Sequence, residues 1–236
     1  MNQALIFLNL FFAGRLFFYD INQVMAGKKA ELKTFWFRVL FGLLLFFCVA
    51  SFLQALLFFI FYFLLQLADS LLIPKQEKYR AWWYGLLISL PFLTLVFPSV
   101  VFSNLPKTNF SLALMPQIPF NISLVLLGFI LIIKEGTIVI RLALTSLKTV
   151  PVTENQTSPD AEEYERGKWI GILERIFVYF LVIFNQIGAI AIIIALKSLA
   201  RFNELNKKSF AEYFLIGSLL SLLVATLPAV IVRLLL

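Results

Sequence analysis

The sequence predicts an all-α, polytopic helical membrane protein with about eight transmembrane helices. Two observations predict it. Of the 236 residues 61% are hydrophobic and only 14% charged, and the mean hydropathy is +0.93. Apolar runs of membrane-spanning length also recur from one end of the chain to the other. About 20 apolar residues in a helix cover the ~30 Å hydrocarbon core of a bilayer. There the backbone must satisfy its own hydrogen bonds, which favours helices over an open sheet. An outer-membrane barrel would alternate in polarity, and blocks such as LLLFF and AIIIA do not.

The net charge of +7 does not point to nucleic acid. The basic residues stand singly or in pairs beside apolar runs, where they anchor and orient helices. Cys48 is the single cysteine, so no intrachain disulfide forms. The N-terminal apolar run lacks a preceding basic region and a convincing cleavage site, and is expected to stay as the first helix.

The elements follow in order. A first segment is expected over residues 2–19, closed by Asp20, with Arg15 about one turn from its end and placed to snorkel. The loop 21–33 carries Lys28, Lys29 and Lys33. Residues 34–73 exceed one crossing and divide into 34–50 and 51–73 at a tight hairpin near Ala50 and Ser51. The loop 74–81 is basic, with Lys75, Lys78 and Arg80. Segment four, 82–102, contains Pro91 and Pro98 and should kink. Residues 103–119 are Pro-rich. Segment five, 120–147, holds Lys134, Glu135 and Arg141. Residues 150–167 form the only long polar stretch and read as an exposed loop. Two apolar runs then meet at Asn185 and Gln186, and after a turn over 203–208 a last segment covers about 209–236. The chain is read as one integrated membrane domain: a five-helix part over 1–148, a cytoplasmic loop over 149–168 and a three-helix part over 169–236. No internal repeat is convincing.

Orientation follows from charge. With the N-terminus outside, the loops at 21–33, 74–81, 148–168 and 203–208 share one face and hold eleven Lys or Arg, among them Lys148, Arg166, Lys168, Lys207 and Lys208. The opposite loops hold only Lys107. The rich face is cytoplasmic by the positive-inside rule, and both termini are then non-cytoplasmic. Trp36, Trp82, Trp83 and Trp169 fall at the same expected interface.

The chain contains no histidine. That removes His-based metal sites, Ser–His or Cys–His nucleophile pairs and histidine proton switches. Nor is there a Gly-rich phosphate loop. No catalytic residue, metal or cofactor is expected. The candidates are charges beside hydrocarbon, which cost a few kcal/mol each unless partnered. Glu174, Arg175, Lys197 and Arg201 lie near the cytoplasmic ends of the two runs joined at Asn185, so antiparallel packing would hold them at similar depth. They read as an interhelical ion-pair cluster, with a lipid head-group or anionic-ligand site, or a partner-protein contact, as alternatives.

Lys134 and Glu135 are the second candidate. In a continuous helix they sit near mid-membrane, about 100° apart, and each needs another helix or water. They then suit a polar pathway for an ion or solute. A break at Gly136 would instead leave them shallower. Gly217, Ser221 and Ala225 make a small-residue stripe suited to close helix packing. Asp69, with Gln66 a turn before it, reads as a cap or loop partner.

Gly171, Glu174 and Arg175, then Gln186 and Gly188, then Ala195, Lys197, Ser198, Arg201 and Phe202, then Glu212, Tyr213 and Gly217 stand at spacings similar to the tail of a bacterial integral-membrane family. That family is catalogued as domain of unknown function 3307. The likeness covers about residues 167–226, and the segments MAGKK and GTIVIRLAL resemble the family's first half more loosely. The family carries His-x-x-x-Asp motifs on its early helices. Here they would fall at Phe11–Arg15 and Leu65–Asp69, and only Asp69 remains. The resemblance implies a divergent member without the family's ligands, inert in any metal chemistry. The expected function is a non-catalytic inner-membrane subunit or scaffold in contact with phospholipid, bound to a membrane protein partner or to its own copies. The alternative is a small transporter or channel using Lys134 and Glu135.

Overall fold

The computed structural model describes residues 2–18, 32–44, 52–71, 77–95, 119–147, 161–206 and 208–236. Every regular element among them is helical. They are α1 (Asn2–Phe18), α2 (Leu32–Gly42), α3 (Phe52–Leu71), α4 (Glu77–Ser89), α5 (Phe120–Ile130), α6 (Gly136–Ser146), α7 (Ala161–Ile183), α8 (Ile187–Ala200) and α9 (Lys208–Leu235). A π-helical turn, Leu131–Glu135, joins α5 to α6. Two stretches, Phe120–Ser146 and Phe210–Leu235, are long and apolar enough to cross a membrane. The apolar parts of α1, α3 and α8 are shorter.

Several expected boundaries move. The basic loop at 74–81 is already helical from Glu77, and the polar stretch at 150–167 is helical from Ala161. Both corrections have one cause: Glu, Lys, Arg and Tyr are good or neutral helix formers, so polarity there does not exclude helix. At Pro91, where a kink was expected, the chain takes a 3-10 stretch over Leu90–Phe92. A proline removes a backbone donor, and the tighter i→i+3 pattern accommodates that loss. The hairpin near Ala50 and Ser51, Pro98, Cys48 and most of the loop lysines lie outside the described residues.

The chain divides into two compact units, Met1–Ile130 and Leu131–Leu236. The boundary between them falls at the start of the π turn.

In the first unit α1 packs against α2 and α5, and α2 against α3. Phe7, Phe11 and Phe12 on α1 are buried, and Phe7 stacks on Phe58 of α3 at 5.2 Å. Tyr62 is the wedge of this unit. Its ring meets Phe11 edge-on, and its hydroxyl donates to the Arg38 carbonyl at 2.8 Å. Only glycine admits it. A Cβ on Gly42 would lie 2.6 Å from the Tyr62 ring, and one on Gly14 would lie 2.9 Å from its hydroxyl. Between α1 and α5, the Asn9 amide donates to both the carbonyl and the hydroxyl of Ser123.

In the second unit α9 packs along α7 and also against α6. Ser221, Ala225 and Ala229, each four residues on, form its buried seam, with Phe214 and Val232 at the ends. Small side chains let two helix backbones approach closely, and dispersion rather than the hydrophobic effect then holds them where lipid surrounds the pair. Gly217 is only half-buried and lies at the edge of this seam. The α7–α8 hairpin turns at Asn185, whose φ is 61°. Asparagine tolerates that left-handed conformation better than other non-glycine residues.

At Gly136 α6 lies close against α9. A Cβ there would meet Val224 Cγ1 at 2.7 Å, on a side chain too short to swing clear. Gly136→Ala is expected to lower stability by roughly 1–3 kcal/mol through overpacking. The check is thermal unfolding in detergent, with Gly85→Ala, where a Cβ meets nothing within 4 Å, as the neutral control.

Candidate functional site

Glu174 and Lys197 sit eleven and twelve residues on either side of Asn185. The hairpin therefore folds them to the same level, and Lys197 Nζ donates to Glu174 Oε2 at 2.5 Å. Lys197 also lies 5.6 Å from the centre of the Phe214 ring of α9. Arg201 stacks its guanidinium over Phe210, 5.7 Å from the ring centre.

Arg175 lines the same cavity as Glu174 and Lys197, but its hydrogen bonds all go elsewhere. It is 4% exposed and turns from α7 to the π turn, where Nε donates to the Ile132 carbonyl at 2.9 Å. Nη2 donates to Thr137 Oγ1 and reaches the Ile133 carbonyl at 3.4 Å. Thr137 in turn donates to the Ile133 carbonyl at 2.6 Å. A π turn widens the helix and pulls carbonyls out of line with their usual donors. The guanidinium, with donors spread in a rigid fork, replaces them. The cluster was expected from similar depth on antiparallel helices, which holds for Glu174 and Lys197. Adjacent residues on a helix point about 100° apart, so Glu174 and Arg175 face different neighbours.

This arrangement also corrects the expectation of a break at Gly136. The helix continues through the π turn, and Lys134 and Glu135 form its last residues. Glu135 is buried and Lys134 half-buried, and each has a partner.

Beside the Glu174–Lys197 pair lies a cavity of about 120 Å³ between α7, α8 and α9. Its walls are mainly apolar, from Val178, Ile193, Phe214 and Leu222. Glu174, Arg175, Lys197, Ser198, Ser218 and Ser221 are its polar lining residues. The Ser218 hydroxyl is buried there without a hydrogen-bond partner.

The first unit holds a site that the sequence reading missed. Arg15 is fully buried rather than snorkelling, and its Nη1 donates to Asp69 Oδ2 at 3.0 Å. Arg38 Nη1 donates to the same oxygen at 2.8 Å. Asp69 is thus not a cap or loop partner but the acid shared by two arginines from two other helices. Arg15 Nη2 also donates to the Tyr84 hydroxyl at 3.1 Å, and its guanidinium lies 5.4 Å from that ring. Gln66, a turn before Asp69, is fully buried beside Tyr62. The sequence showed the charges, an internal arginine in each of two apolar runs and one acid at the end of a third, but not their pairing.

Among the described residues no group of three or more His, Cys, Asp or Glu side chains is placed to hold a metal. Compared with protein-family models, curated proteins and solved structures, the chain matches none of them.

Two variants test these contacts. Asp69→Asn removes the charge that two buried guanidiniums share and should cost about 3–5 kcal/mol, read as a large fall in the detergent unfolding temperature. An unchanged melting curve would mean the pairing is wrong. Glu174→Ala should also lower the unfolding temperature, by leaving Lys197 without its acid. The effect is expected to be smaller, about 1 kcal/mol, because that pair is partly exposed.

Proposed function

We propose that the chain is a non-catalytic, multi-pass protein of the bacterial inner membrane, serving as a subunit or scaffold of a larger membrane assembly. The observation that carries this reading is α8. Ile190 is its one buried residue, while Ile187, Ile192, Leu196 and Leu199 are 57–71% exposed. An apolar helix bare on nearly all sides needs lipid, another protein or both around it. The charges support the same reading. Arg15 and Arg38 are held by Asp69, Arg175 by backbone and Thr137, and Glu174 by Lys197, so these groups act as internal fastenings.

On this reading the chain crosses the bilayer about eight times, with the lysine-rich connections cytoplasmic and both termini on the other side. It is then a divergent member of the domain-of-unknown-function 3307 family. Positions 15 and 69, which the resemblance aligns with the family's acids, carry an arginine and an acid joined by a salt bridge in this chain. The second reading, a small transporter or channel using Lys134 and Glu135, is favoured by the π turn that carries them. Such turns recur at functional sites.

Extraction in mild detergent is expected to recover the chain with a stoichiometric membrane partner or as a homo-oligomer. Recovery as a lone monomer that leaves no partner behind would end the scaffold reading. Accessibility tags at 150–160 and 103–118 are expected to label from opposite sides of the membrane, and labelling from one side would end the topology.

A further inference from the structure

We propose that the cavity between α7, α8 and α9 binds one anionic phospholipid, with its phosphate at Lys197 and Ser218 and its acyl chain on Val178, Ile193 and Leu222. The proposal rests on the membrane reading but not on the scaffold role.

Three observations carry it. The first is charge. The groove contains two cations and one acid: Glu174 is engaged by Lys197, and the three hydrogen bonds of Arg175 all end on neutral oxygens. Glu174 is the one carboxylate against both cations, hydrogen-bonded to Lys197 and acting on Arg175 only through its charge, so the lining carries one net positive charge. A guanidinium in a poorly solvated site raises the affinity of any anion that comes near it.

The second is an unmet polar group. The Ser218 hydroxyl lines the cavity and is buried without a hydrogen-bond partner. Such a group costs free energy until an acceptor or donor reaches it. A phosphate oxygen accepts from both a hydroxyl and an ammonium. The cavity of about 120 Å³ is several times what a single water needs, so it admits more than a bridging water.

The third is position. Lys197 stands three residues before the end of α8, or about 4.5 Å along the axis, on the face assigned to the cytoplasm. That places it at head-group depth in the inner leaflet, where basic pockets between helices take anionic lipids. The apolar walls continue from the Lys197–Glu174 pair, as a chain attached to that phosphate requires. A free anion would have no use for them, so the occupant is a lipid rather than soluble phosphate.

The test uses the full chain, delipidated in detergent. Native mass spectrometry and thermal unfolding are recorded with added phosphatidylglycerol, phosphatidylcholine or inorganic phosphate. Phosphatidylglycerol is expected to be retained one per chain and to raise the unfolding temperature, and the other two are expected to do neither. Glu174→Gln/Lys197→Gln, which removes the pair without stranding a charge, should weaken phosphatidylglycerol binding about fivefold. Ser218→Leu fills the cavity with an apolar group and should abolish retention while the chain still folds. Equal retention of phosphatidylcholine, the same stabilisation by inorganic phosphate, or unchanged binding in Ser218→Leu would overturn the proposal. Carbonate extraction reads insertion separately. A chain that resists extraction but holds no lipid refutes this site alone, whereas a chain released by carbonate refutes the membrane reading with it.

Discussion

A charged group enclosed by apolar helices must be met by protein, because no water is at hand to meet it. The helices here are arranged around that constraint. Asp69 draws α1 and α2 onto α3 by taking one arginine from each. Arg175 ties α7 to the π turn through backbone oxygens. Lys197 closes the α7–α8 hairpin on Glu174. Removing a buried partner costs more than making the pair gains, so these contacts fix which helices are neighbours more than they add net stability.

The π turn and Arg175 are two halves of one feature. A widened turn exposes carbonyls that need donors, and a buried guanidinium needs acceptors. Each would be costly alone. Thr137 completes the set by receiving from Arg175 and donating to Ile133, so one hydroxyl serves both the helix and the cation. Gly136 follows directly and lets α9 approach at the level where the guanidinium enters. The seam of Ser221, Ala225 and Ala229 continues that close contact along α9.

The helical class and the position of the α7–α8 turn were legible in the sequence because both depend on local signals. Apolar runs mark helices, and Asn185 and Gln186 interrupt one. The level of Glu174 against Lys197 was legible too, since two helices joined by a short turn place residues symmetrically about it. What the sequence did not disclose were contacts between helices far apart in the chain. Arg15 lies 54 residues from Asp69 and Arg38 lies 31, and no periodicity links them. Arg15 seemed close enough to a helix end to reach water, but its side chain points inward to Asp69 and Tyr84. The π turn was hidden for a related reason. Its apolar Leu and Ile residues fit an ordinary helix, and only Arg175 from another helix shows why the turn widens. Small residues announced a seam on α9, but burial shifts it one turn onward from Gly217 to Ala229.

The length of α8 has its own consequence. Fourteen residues rise roughly 21 Å, short of the ~30 Å that hydrocarbon occupies in an average bilayer. A helix this brief and this bare would pull the two leaflets together around it, at a fraction of a kcal/mol for each ångström of mismatch. On the membrane reading proposed above, the chain would prefer thinner regions of a bilayer, and any neighbour carrying a similarly short helix would share the dimple and be drawn alongside.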